Sequence, residues 1–145
     1  MLRSVRMRLG TVVVVVICAV GLGATPARAD EGWSCSPPPR GYTYIGIQQL
    51  SGVCGSPWPA FRYDVKLPED GLLACALVEG WAFTNSRSSV NRCAITGTAF
   101  QLRLAKPVTG LWSCNIPKGW TYSRQQLATN VCGNGTFSMF QLAPL

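Results

Sequence analysis

The chain has 145 residues, 13 basic against six acidic, and no histidine, which excludes catalytic Ser-His-Asp and Cys-His constellations. The basic residues beyond the N-terminal segment are scattered from Arg40 to Arg124 rather than clustered, so no nucleic-acid partner is expected. Cys-x-x-Cys pairs are also absent, which argues against zinc and leaves no metal or other cofactor to expect.

Reading from the N-terminus, Arg3, Arg6 and Arg8 precede an apolar run dominated by Val12 to Ile17, and Ala27-Arg28-Ala29 supplies a small-x-small cleavage pattern. This is a signal peptide over residues 1–29, cut before Asp30. The run is too short for a retained spanning helix, so no membrane association is expected after cleavage. Cys18 lies inside the apolar run after Ile17, where lipidation would want a small residue. The arginine-rich start and Ala-x-Ala end resemble bacterial export signals, and the product is expected to be secreted, extracellular or periplasmic. The 116 residues left carry net charge +3, because the signal takes four of the 13 basic residues and none of the acids. That length supports one small domain with a thin core.

Six cysteines remain, an even number in a short exported chain, which points to a disulfide framework. Cys35, Cys75 and Cys114 stand 40 and 39 residues apart, and Cys54, Cys93 and Cys132 stand 39 and 39 apart. Gly41-Tyr42-Thr43-Tyr44, Gly80-Trp81-Ala82-Phe83 and Gly119-Trp120-Thr121-Tyr122 keep the same register. Phe61, Phe100 and Phe137 each precede a proline by seven residues. The chain from Asp30 to Leu145 therefore reads as one all-β domain of three tandem modules of about 39 residues, spanning 32–68, 71–107 and 110–145. Two pairings treat all copies alike, one within modules and one across them in a ring. The preferred one joins Cys35 with Cys54, Cys75 with Cys93 and Cys114 with Cys132; each bridge closing a loop of 18 or 19 residues contributes about 3 kcal/mol in the chain-entropy model.

Within each module a short strand is expected at the first cysteine, a second at the Gly-aromatic-x-aromatic segment, and a third where Phe61 to Leu67 and Phe100 to Leu104 alternate in polarity. Pro-x-Gly before the aromatic strand, Pro-x-x-Gly at the module junctions and Asn134-Gly135 are turn signals. Threefold repetition suggests a closed pseudo-threefold unit, β-trefoil-like or β-prism-like, in which each copy lends one face to a shared core. Independent beads, each with one bridge, are the competing arrangement.

No acidic residue recurs across modules, so a carboxylate-dependent hydrolase is a remote expectation, and the chain is read as non-enzymatic. Glu69-Asp70 reads as an exposed turn. The aromatic strand supplies the candidate ligand-binding residues Tyr42, Tyr44, Trp81, Phe83, Trp120 and Tyr122, whose flat faces suit stacking on sugars; three weak sites would gain from a repetitive polysaccharide or cell wall. The competing role for these rings is packing in a shared core. Trp58, between Pro57 and Pro59, has no counterpart in the other modules and marks a specificity loop. The alternative is an inhibitor that binds an extracellular enzyme, with the Phe-to-Pro strand as an exposed edge for β-augmentation.

Overall fold

A computed structural model describes residues 31–145; the expected signal peptide lies outside them. Among the described residues every regular element is a strand: β1 (Gly32–Ser34), β2 (Thr43–Leu50), β3 (Ala60–Lys66), β4 (Leu73–Ala74), β5 (Ala82–Val90), β6 (Thr98–Ala105), β7 (Trp112–Ser113), β8 (Trp120–Thr129) and β9 (Thr136–Pro144). They form three antiparallel three-stranded sheets of like topology, β1-β3-β2, β4-β6-β5 and β7-β9-β8. Each sheet is stapled within itself by Cys35–Cys54, Cys75–Cys93 or Cys114–Cys132, so the intra-module pairing is the one present.

The recurrent x-x-Gly-aromatic motif, opened by Pro39, Val78 or Pro117, has a local cause. Tyr42 N–H donates to the Pro39 carbonyl at 3.1 Å, Trp81 N–H to Val78 at 3.0 Å and Trp120 N–H to Pro117 at 3.1 Å. Gly41, Gly80 and Gly119 at the third position have φ of 83 to 85°, the left-handed backbone that a type II turn demands there and that only glycine adopts without strain. The turn delivers the chain into β2, β5 and β8. A β-bulge follows at one place in each copy, after Tyr44, Phe83 and Tyr122, where the ladder register shifts.

Two features differ from the sequence reading. The Phe-to-Pro strand is central in every sheet, paired on both sides, so it offers no exposed edge; the edges are the aromatic strand and the short strand before the first cysteine. The Phe137 register also slips by one. Val65, Leu104 and Leu142 are the true equivalents, since they face Tyr44, Phe83 and Tyr122 across the ladder. Phe61 and Phe100 stand four residues before their member of that set, whereas Ser138 holds that place in the third copy. A one-residue slip turns a strand side chain to the opposite face. Phe137 accordingly covers Gly133, where an added Cβ would lie 3.0 Å from its ring.

The modules join edge to edge. Cys75 N–H donates to the Tyr44 carbonyl at 2.8 Å and Ile47 N–H to the Arg92 carbonyl at 2.9 Å; one repeat on, Cys114 N–H donates to Phe83 at 2.8 Å and Ser86 N–H to Val131 at 2.7 Å. Of the four buried polar side chains among the described residues, Thr43, Ser86, Gln101 and Ser113, three bond across these junctions. The expected β-trefoil-like or β-prism-like closure is not confirmed: among the described residues no such backbone bond runs from the third module to the first. Small residues at the two junctions, Thr43, Ala74, Ala82 and Ser113, are fully buried, while Ser34 and Thr121, their equivalents at a third junction, are only half-buried.

The apolar core is thin, as the length implies: Val65, Ala74, Val78, Ala82, Leu104, Met139 and Leu142. Its main cluster of Ala74, Val78 and Leu104, with Leu72, Trp81, Phe83 and Leu102 against it, lies in the middle module. The middle module also departs in sequence from the other two. Flanked by a neighbour on each side, it uses Leu73 and Val78 where the outer copies carry Trp33, Trp112, Pro39 and Pro117.

Candidate functional site

The repeated aromatics occupy equivalent places but differ in surroundings. Tyr44 meets Tyr63 edge-on at 5.4 Å between centroids, Tyr122 lies tilted on Phe140 at 5.2 Å, and Phe83 packs on the central cluster beside Trp81 and Leu102. These cross-strand pairs contribute packing on one face of each sheet. Burial, and then the neighbouring Tyr63 hydroxyl, push the Tyr44 phenol above its ordinary value. Tyr42, Trp81 and Trp120 are half-buried, and Tyr122 alone among the six is exposed. The rings are brought into equivalent positions, not onto one open platform. Trp58 differs sharply: it is 76% exposed in the loop after Cys54, its N–H bonded to the Ser56 hydroxyl at 3.2 Å.

The acidic residues are spent singly. Glu31 accepts from the Leu67 N–H at 3.2 Å and pairs with Lys66, which together hold its carboxyl below the usual range. Asp70 accepts from the Lys106 N–H and ties the first module junction turn to the end of β6. Glu69, as expected, lies exposed in that turn, its carbonyl accepting from Leu72 N–H. Glu79 accepts from Lys118 at 3.1 Å and from Arg40 at 3.4 Å, so it sits between the cations of the two outer modules. The differing charges at these three equivalent positions are thus an alternating row across the array.

Asp64 lines a cleft of about 340 Å³ at the first junction together with Trp33, Gly46, Gln48, Asn91 and Arg92. Trp33 and Asp64 face each other across the β1–β3 ladder, and Gln48 pairs with Arg62 across β2–β3, which places all four side chains on one face. Arg62 lies 4.5 Å from the Trp33 ring centre and is held there by two bonds donated to the Gln48 side-chain Oε1 at 3.2 and 2.9 Å. A cation fixed over an indole steadies the ring, and Trp33 is still 45% exposed. Gly46 lines the cleft without a side chain; a Cβ there would make an ordinary van der Waals contact with the indole edge at 3.7 Å. The far wall belongs to the second module, where the Arg92 guanidinium donates to the Ile45 carbonyl at 3.3 Å.

Among the described residues this arrangement is not repeated at the second junction. At the second junction Leu73 replaces Trp33, Asn85 replaces Gly46, Arg103 replaces Asp64 and Val131 replaces Arg92. Trp33 is not among the candidate ligand-binding residues that the repeat pattern marks. Its polar partners lie 15, 31 and 59 residues away at Gln48, Asp64 and Arg92, and only strand register and module stacking bring them together. No protein-family model, no characterised protein and no solved structure is detectably similar to this chain.

Proposed function

We propose that the exported chain is a non-enzymatic binding protein that takes a sugar unit of a polysaccharide or bacterial cell wall in the cleft between its first and second modules. The observation that carries this reading is Trp33, an exposed indole held in place by Arg62 and bordered by the carboxylate, amide and guanidinium groups of Asp64, Gln48, Asn91 and Arg92. An aromatic plane beside planar polar groups matches a sugar ring, which presents C–H bonds on one face and hydroxyls around its rim. A single carboxylate lines the cleft, which supports binding over the two-carboxylate chemistry of glycoside hydrolysis. Three intramolecular disulfides fit an oxidising compartment such as the periplasm or the extracellular space.

The test is depletion of the oxidised chain lacking residues 1–29 by insoluble polysaccharides and purified cell wall. Trp33→Ala is expected to abolish depletion while retaining the fold, and Tyr42→Ala with Trp120→Ala to leave most of it. Equal depletion of the wild type and Trp33→Ala would remove the cleft from the proposal. A second reading, an inhibitor of an extracellular enzyme, is favoured by Trp58: a large exposed side chain between two prolines, on a loop that belongs to one module, is a preorganised protein-binding feature. That reading predicts that Trp58→Ala leaves polysaccharide depletion intact and abolishes capture of the enzyme.

A further inference from the structure

We propose that the outer edge of β8 is an interaction surface for an extended, acidic segment of another protein. The two internal junctions define what such an edge accepts. In the first and second modules the outward carbonyl of Tyr44 or Phe83 receives an N–H, and the outward N–H after the bulge, Ile47 or Ser86, finds a carbonyl. At the second junction Asn115 also accepts from the outward Phe83 N–H at 2.9 Å. In the third module Tyr122 and Gln125 hold the corresponding ladder positions, opposite Leu142 and Phe140. Outside the β8–β9 ladder, no backbone bond from Gln125 N–H or to the Tyr122 carbonyl occurs among the described residues. β8 runs ten residues, and Tyr122 to Leu127 is exposed throughout. An unpaired edge of this length is a template for one more strand.

Charge selects the occupant. Residues 110–145 contain no acidic residue, and Arg124 stands at the bulge of the free edge. The row across the array reads Arg40, Glu79, Lys118, and the next place in that alternation calls for an acid. The same row disfavours a second copy of this chain, because head-to-tail stacking would set Arg40 of one molecule against Lys118 of the other. The edge side chains Ser123, Arg124, Gln125 and Gln126 are polar, which favours a polar acidic segment over an apolar one.

The test follows backbone amides by NMR in the labelled, oxidised chain lacking residues 1–29. The probe is a capped peptide of five Thr-Glu repeats at up to roughly 2 mM, a range that detects weak strand addition. Saturating shifts confined to Tyr122–Leu127 are expected, with hydrogen exchange at Gln125 slowed about tenfold on saturation, and no response to the matching Thr-Lys peptide. Gln125→Pro removes the outward N–H without costing a ladder bond and should abolish the response. Arg124→Glu, which leaves the backbone untouched, should weaken it by roughly fivefold or more. No shift on β8, or an equal response to both peptides, overturns the proposal. So would concentration-dependent shifts at β8 and Cys35 without peptide, which would assign the edge to a second copy.

Discussion

The Thr43 hydroxyl donates to the Ala76 carbonyl at 2.7 Å, joining the first module to the second through a side chain with no exposure to solvent. The bond lies where β2 and the segment after β4 meet edge to edge, and no buried side-chain polar atom among the described residues lacks a partner. Thr43→Val keeps the shape and leaves the Ala76 carbonyl without its donor. The expected cost is about 1 to 3 kcal/mol, read as a lowered denaturant midpoint with the disulfides intact. Thr121→Val, at the equivalent but half-buried position of the third module, should change the midpoint little.

Gly46 offers a test of the cleft that leaves its polar groups in place. Contacts to an added Cβ begin at 3.7 Å, an ordinary van der Waals distance, so Gly46→Ala should retain the fold and most binding. Gly46→Leu would project into the cleft against Trp33. Polysaccharide depletion should fall by roughly tenfold or more, which corresponds to about 1.4 kcal/mol, while the thermal midpoint stays near that of the alanine variant.

Acid should loosen the array through Glu79. Its hydrogen bond to Lys118, then the charges of Lys118 and Arg40, hold the carboxyl below its ordinary value of 4.5. A carboxyl lowered in the folded state contributes stability above its unfolded value and loses it as pH falls through the folded one. Stability should therefore decline on acidification below about pH 4.5, and Glu79→Gln should flatten part of that decline. Glu31, lowered first by the Leu67 N–H and then by Lys66, adds a slope of the same sign, so the double variant should be flatter still. Both groups are at the surface, and added salt should reduce the Glu79 share.

The middle bridge, Cys75–Cys93, closes an 18-residue loop in the module that holds the main core cluster. Replacing both cysteines by serine should cost about 3 kcal/mol. The loss should appear in equilibrium unfolding as a transition shared by all three modules, because the middle one carries both junctions. Independent unfolding of the outer modules at an unchanged midpoint would mean that the copies behave as beads.

What the sequence by itself determined was local or periodic. The cysteine spacing marked the copies, and a loop of 18 or 19 residues made the intra-module bridges the natural choice. The Pro-x-Gly turns and the alternation from Phe61 to Leu67 marked the strands, since turn backbone and strand faces are set by neighbours in the chain. Even the one-residue slip at Phe137 stays within this level: it follows from a loop after Cys132 one residue shorter than its counterparts, which the shared proline spacing concealed.

Only the tertiary structure decided which strand became central, because pairing partners are chosen across the sheet and not along the chain. It also decided the meaning of three charges. Arg40, Glu79 and Lys118 look unrelated as repeat positions, yet stacking sets the acid between the two cations. The candidate cleft depends on the same step. Trp33, Gln48 and Asp64 share a face only through the register of β1, β2 and β3, and Arg92 reaches them only because the second module docks its backbone on Ile47.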